Sequence, residues 1–533
     1  MKRLALPVFL ILLCVLPLGA ADSALQRYIT KDCVVFVQLE KFPEIVKEIE
    51  SYAVRYGLGL SKGQLDMLIS MQLTGRTGYP GFDLSRPTGV FLLKSQDESE
   101  GFVVMVPVTD PNTLRNFLSQ QGVFDGADAQ KVRYRDRYLI VASDADAMTL
   151  FEKGAKKTIA KLPDAHIAVF IDGAFLKNSA DDIGSMIDGN SNAINQLARK
   201  FHSGFIGGIQ EMSFGFSFTP QGIEFISAVE VQPESAYSAL LKSASRGEPA
   251  LVAKMPADSY FVTGAKMELK WIESSFGEIL VGFYDEFARG LGGVLADAMK
   301  EAADIYGDDF ACALVPGGEG AFAMVAAMKL APGKDSKALM AKYTDRINAL
   351  PALKNIQGRI VYTQNAGRMG ADSYDLVRFE SGAPQNFRGS ARNLDKLLDS
   401  LTAYIVTKNG VEYMAIGTGA QSRLADLVGG TKSGFSSTAA WKAIGQNYGQ
   451  YAKNGVSYIS IGDTIKEIVR IVSAYDIGGN EVKSAVNKLR RIPAGGGIYG
   501  ISQLAQNSMT GSALITKAEI DVLYNLFRSF SGK

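Results

Sequence analysis

The sequence predicts an α+β fold built as two tandem duplicated domains, with mostly antiparallel sheets and helices packed on one face. Three observations carry this expectation. A short unit recurs: residues 32–49 (DCVVFVQLEKFPEIVKEI) read as an apolar strand, a turn and an amphipathic helix, and Asp164, Asp258 and Gly455 open similar stretches. In each, a polar residue closes the strand eight positions on: Glu40, Asp172, Lys266 and Asp463. Next, the order of elements repeats from about residue 250: EYMAIGTGAQSRLADLVGG matches RYLIVASDADAMTLFEKG, and DFACALVPGGEGAFAMVAAMKL matches the paired runs TGVFLLK and GFVVMVPV. Ordered self-similarity of this kind marks a repeated architecture. Finally, several neighbouring runs alternate apolar and polar residues across short polar turns, the pattern of half-buried antiparallel hairpins.

The chain has 533 residues, too many for one core, and its 47% hydrophobic and 21% charged content is that of a globular protein. It opens with Lys2 and Arg3, an apolar run at 4–18 and the small residues Gly19-Ala20-Ala21. This reads as a signal peptide, 1–21, since the apolar run falls short of a membrane-spanning helix. Domain 1 is then expected at 22–250 and domain 2 at 251–533, the latter with an insertion at about 358–408.

In domain 1 a helix is expected over 43–56, with Pro43 in its first turn and Ile45, Ile49, Tyr52 and Tyr56 on one stripe; Gly57 and Gly59 end it. A second helix is expected over 62–73. The runs at 88–94 and 101–108, joined by QDESE, read as a hairpin. Asp110 then stands where an N-cap belongs and Pro111 at the first helical position. A strand at 138–143 leads into a helix at 144–153. Phe214, Phe216 and Phe218 alternate with small residues before the turn Thr219-Pro220-Gln221-Gly222, and a second alternating strand follows. A helix starting at Pro233 closes the half.

MPADSYFV at 255–262, GFVVMVPVTDP at 101–111 and the TPQGIEF hairpin resemble a bacterial family of exported proteins of unknown function. The domains of that family open on a Pro-Ala-Asp strand and contain a "PV-x-D" step from strand to helix. The first half of this chain has Thr-Lys-Asp at 30–32 in that place. The resemblance implies an exported envelope protein and brings no catalytic residues with it.

Chemistry-bearing motifs are sparse. The two histidines, His166 and His202, lie in different elements without ligand-like spacing, and no G-x-S-x-G elbow is present. His166 reads as a structural residue on an apolar strand. GTGAQS at 417–422 lacks the third glycine of a dinucleotide fingerprint, and GGTKS at 429–433 has Thr where a phosphate-binding loop needs Lys. Asp144 and Asp146 enrich a helix N-terminus in negative charge. The recurring Asp32, Asp164 and Asp258 precede strands and read as turn or cap residues. Cys33 and Cys312 are open to two readings, free buried thiols or a disulfide of an exported chain.

No catalytic, cofactor-binding or metal residue is therefore predicted, and no cofactor. Removing Lys2 and Arg3 takes the formal charge from +1 to −1 (1 − 2 = −1), which gives no electrostatic case for nucleic acid, and no later run is long enough to span a membrane. The expected function is an exported, periplasmic or extracellular, non-enzymatic binding or structural protein with an unknown envelope partner. The alternatives are a carrier of apolar ligands or lipids, and a carboxylate-based enzyme of unfamiliar type. For the carrier, Trp271, Phe276, Ile279, Phe283, Phe287 and Leu291 form an aromatic-rich stripe at helical spacing, which reads equally as the seam between a helix and its sheet.

Overall fold

The computed structural model describes residues 25–531 apart from 41, 75–76, 95–99, 121–130, 161, 179–205, 245–246, 270–280, 282–283, 285–289, 318–322, 352–353, 355–357, 382–401, 431, 450–452, 475–479 and 494. Residues 1–21, expected to form a signal peptide, lie outside the described residues. The chain divides into two compact units, Met1–Asp181 with Ile206–Gln232, and Asp182–Phe205 with Pro233–Lys533. The first unit so divided ends at Gln232, where the sequence suggested about 250. The intervening stretch belongs to the second unit through its bonds: Ser238 Oγ donates to Asn507 Oδ1 at 2.7 Å, and Ala250 N–H to Asp309 Oδ2 at 3.0 Å.

The first unit runs β1 (Cys33–Leu39), α1 (Phe42–Arg55), α2 (Gln64–Thr74), β2 (Thr88–Lys94), β3 (Glu100–Pro107), α3 (Pro111–Gln120), β4 (Val132–Arg135), β5 (Tyr138–Ala142), α4 (Ala145–Lys153), β6 (Ile167–Asp172), β7 (Ile209–Thr219) and β8 (Gly222–Val231). Its sheet is antiparallel throughout, in the order β8-β7-β6-β1-β2-β3-β5-β4. Phe36 of the central strand sits opposite both Phe91 and Phe170, and all three are essentially fully buried. The 4.6 Å approach of the Phe36 and Phe91 rings makes this pair the centre of the core.

The cap expected at Asp110 forms, and Asp144, expected to add negative charge at its helix start, caps as well. Asp144 Oδ1 accepts from Ala147 N–H at 2.7 Å to start α4, and Asp110 Oδ1 accepts from Asn112 N–H at 2.9 Å to start α3. The expectation of helices on one face needs correction in this unit. Successive strand residues face opposite sides. Tyr138, Ile140 and Ala142 of β5 join the core that holds Met148 and Phe151 of α4, whereas Leu139 and Val141 pack with Leu114 of α3. Both faces of the sheet carry apolar residues at that edge, so both take a helix.

The second unit runs α5 (Ala236–Ser243), β9 (Phe261–Lys266), α6 (Leu291–Ala302), β10 (Tyr306–Val315), β11 (Ala323–Leu330), α7 (Lys337–Asn348), β12 (Gly358–Met369), β13 (Asp372–Ser381), β14 (Ala403–Lys408), β15 (Val411–Gly417), α8 (Ala420–Gly429), α9 (Ala439–Tyr448), β16 (Gly455–Ile459), α10 (Ile461–Ala474), α11 (Asn480–Leu489), β17 (Ile498–Leu504), β18 (Ser508–Thr516) and α12 (Lys517–Ser531). Its antiparallel order is β18-β17-β16-β9-β10-β11-β15-β14-β13-β12. The order of the first unit reappears position for position, with β12 and β13 added beyond β14. The strand β14, inside the stretch read as an insertion, pairs with β15 as β4 pairs with β5.

The main core of this unit gathers Val252, Met255, Val262, Ala313, Val325 and Ala415 beneath Leu424 of α8, Ile444 and Tyr448 of α9, and Phe435 between them. A smaller core joins Ile465 and Val469 of α10, Val486 of α11 and Val522 of α12. Among the described residues no helix is long and apolar enough to cross a membrane.

Candidate functional site

A cleft of about 1050 Å³ lies in the second unit, lined on one side by a face of α8. Another part of its lining comes from two segments zipped together. Residues 251–254 form a single 3-10 turn before β9, and its end is held by Met255, which is fully buried. Phe435 N–H donates to Met255 O, Ala257 N–H donates to Ser433 O at 3.3 Å, and Pro256 bridges Gly434. Gly434 is needed for this approach, because a Cβ there would meet the Ala253 carbonyl oxygen at 2.5 Å.

The helix α8 is terminated by glycine at both ends. Gly419, with φ 70°, is its N-cap and offers no side chain to the first-turn N–H groups; Gly430, with φ 62°, closes it with N–H donated to Asp426 O. Both ends line the cleft, through Thr418 and Gly419 at one end and Gly429 and Gly430 at the other. The glycine-rich stretches GTGAQS and GGTKS, unconvincing as nucleotide motifs, thus flank the two termini of one helix, and Gly419 and Gly430 in them are left-handed caps.

Four cationic side chains, Lys254, Lys408, Arg423 and Lys432, and two carboxylates, Asp258 and Asp426, line the cleft. Arg423 Nη1 pairs with Asp258 Oδ2 at 2.6 Å, and its Nη2 donates to Pro316 O at 3.2 Å. Lys432 pairs with Asp426 at 2.5 Å and Lys408 with Asp372 at 2.9 Å. Lys254 differs: its Nζ donates to the neutral Tyr413 hydroxyl at 3.3 Å and lies 6.0 Å from that ring's centroid. Among the described residues it has no carboxylate partner.

A second polar cluster, buried on the same sheet, surrounds Glu412 of β15, which is 4% exposed. It accepts from Tyr306 Oη at 2.6 Å and from Ser336 Oγ, and burial lifts its carboxyl above the ordinary glutamate range despite both donors. Asp375 likewise accepts from Tyr362 Oη and Asn365 N–H, each at 2.7 Å. Glu519 holds Ile461 N–H at 2.7 Å and Glu211 holds Ala160 N–H. These carboxylates act as brackets on backbone and hydroxyl groups, and among the described residues no three His, Cys, Asp or Glu side chains converge as a metal site.

The residues singled out from sequence are scattered. Of the aromatic stripe, Trp271, Phe276, Ile279, Phe283 and Phe287 lie outside the described residues; Leu291 is the half-buried first residue of α6. His202 is also outside them. His166 Nδ1 accepts from Phe218 N–H at 3.0 Å, a structural bond at the edge of β6 and β7. Cys33 and Cys312 are both free thiols. Asp258 is not a simple turn residue, since its carboxylate holds Arg423. Lys254, Tyr413 and Arg423 carried no local signal, because the cleft joins segments more than a hundred residues apart.

Comparison with protein-family models finds no match, and comparison with curated proteins finds none. Among solved structures the chain is similar to one titled "Structure of crystal form IV of TP0453", at 8% identity and a TM-score of 0.21, over 38% of this chain and 79% of that one.

Proposed function

We propose that the chain is an exported, non-enzymatic binding protein of the bacterial cell envelope, made of two duplicated α+β units, and that the cleft beside α8 is its binding site. The observation that carries the reading is the cleft itself. Its volume, about 1050 Å³, is at the upper end of what a small-molecule site offers, and its lining mixes charged and hydroxyl side chains with the apolar Pro256, Ala257, Leu427 and Val428. Most of its charges are held in ion pairs that fix the walls, which suits a preformed binding surface.

Duplication is supported by the shared succession of eight strands in the two units. Export is supported by the basic and apolar leader with its small residues at 19–21.

The test uses protein collected from the exported fraction of its producing cell. Native mass spectrometry should find a bound small molecule, and hydrogen exchange should show protection at 253–258 and 418–436 that is lost when the molecule is removed. A chain retained in the cytoplasm, or one with neither bound mass nor ligand-dependent protection, would refute the reading.

A further inference from the structure

Given the binding role proposed above for the cleft, on which this step rests, we infer that its ligand carries a phosphate-type anionic group, anchored by Lys254. The charge of the lining is uneven. Four cations face two carboxylates, and Asp258 and Asp426 are each already engaged, by Arg423 and Lys432. Lys408 is engaged by Asp372, which is not a lining residue. That leaves the exposed Lys254 ammonium as the one lining cation without a carboxylate among the described residues.

Its position is fixed from below. Val252 within the 3-10 turn that carries it and Met255 just after that turn are both fully buried, and the Tyr413 hydroxyl, on a residue 7% exposed, supports its Nζ. An ammonium held this way has already lost part of its conformational freedom, so an incoming anion gains a charge-assisted bond at less entropic cost.

Apart from its two paired carboxylates, the rest of the cleft adds further donors. The first-turn N–H groups of α8 lack a side-chain cap, and the positive end of the helix dipole lies at that rim. Thr418 and Ser422 place hydroxyls on the same face. An ammonium, hydroxyls and amide N–H groups together match the several oxygens of a phosphate better than a single carboxylate. The cavity is far larger than one phosphate, so the ligand has a further body, which meets Pro256, Ala257, Leu427 and Val428.

The experiment titrates the purified mature chain by calorimetry with inorganic pyrophosphate. Vesicles of anionic and of zwitterionic lipid are run in parallel by flotation. Binding should be detected at low salt and weaken as salt rises. Lys254→Met should weaken it roughly tenfold to a hundredfold, while Lys62→Met in the first unit leaves it unchanged. Circular dichroism confirms that both variants fold. Binding of pyrophosphate alone identifies a soluble phosphate compound; binding of anionic vesicles as well, lost in Lys254→Met, identifies a lipid headgroup.

No binding of either probe, or binding indifferent to Lys254→Met, overturns the inference. Hydrogen exchange at 253–258 and 418–436 with neutral envelope extracts separates this from failure of the binding reading. Protection by an uncharged fraction would keep the cleft as a site and discard the anion. Absence of protection by every fraction would discard both.

Discussion

Arg423 and Asp258 meet in a 2.6 Å ion pair although 165 residues separate them in the chain. The pair ties the face of α8 to the segment before β9 and so sets the width of the cleft. Asp258 is half exposed and Arg423 is 21% exposed, so the bond is partly screened by solvent. Asp258→Asn should lower stability by about 1 kcal/mol or less, read from the denaturant midpoint. It should also tighten pyrophosphate binding, because a further cation is released. A loss of several kcal/mol, or weaker anion binding, would show that the pair has another role.

Glu412 gives a pH dependence whose sign can be worked out. Burial is the main cause that raises its folded-state pKa above the ordinary value, 4.5, with the negative charge of Asp375 adding to it. A carboxyl with a raised folded pKa favours the protonated fold. Its contribution is complete below the unfolded pKa and is lost as pH rises through the folded one. The stability of Glu412→Gln relative to the natural chain should therefore improve as pH increases above about 4.5. Urea midpoints taken from acid to neutral pH check this, and a difference that stays flat or reverses would contradict it.

Gly264 lies in β9 between Ala311 of β10 and Val456 of β16. A Cβ there would meet the Phe310 carbonyl oxygen at 2.6 Å and the Val252 side chain, which backs the cleft turn. Gly264→Ala should cost about 1–3 kcal/mol. Gly293→Ala in α6, where a Cβ meets nothing within 4 Å, should be neutral or stabilising by up to about 1 kcal/mol. Equal midpoints for the two variants would mean that β9 can shift freely.

Cys33 is fully buried, and burial pushes its thiol up to about 12. Cys312 is only partly buried, though burial raises its thiol too. Under native conditions a thiol reagent should modify Cys312 well before Cys33, with both labelled after unfolding. Peptide mass mapping reads the order; prompt labelling of Cys33 would argue against the packing around Phe36.

Elements whose signal is local were legible in the sequence. The apolar run TGVFLLK, joined by a short polar stretch to the next run, marked β2 with the residue limits found, and Asp110-Pro111 and Asp144 marked helix starts because a cap acts within three residues. The strand β4 escaped notice because VRYR is half exposed and its turn uses Asp136 and Arg137 at φ 54° and 66°, without glycine. That turn is held from afar, by Arg27 on the Asp136 carboxylate and by Arg86 on its carbonyl oxygen. The strand β14 was absorbed into the supposed insertion because it follows the added pair β12 and β13. The cleft was not legible at all: each of its glycine-rich stretches is a weak motif alone, and their union through α8, Asp258 and Lys254 exists only in the fold.

His166 offers a test of the boundary between structural and functional residues. Its Nδ1 accepts from the Phe218 N–H, and the His166 backbone N–H donates to Ser217 Oγ at 3.1 Å. His166→Gln should cost about 1 kcal/mol of stability and leave ligand capture unchanged, measured by denaturant midpoint beside calorimetry. Loss of binding with the fold intact would place a site in the first unit instead.

The most direct measurement is a crystal structure of the protein purified from its producing cell without exchange of bound molecules. The account predicts a ligand between residues 253–258 and α8, with an anionic group on Lys254. A ligand seated elsewhere beside an empty cleft would contradict it.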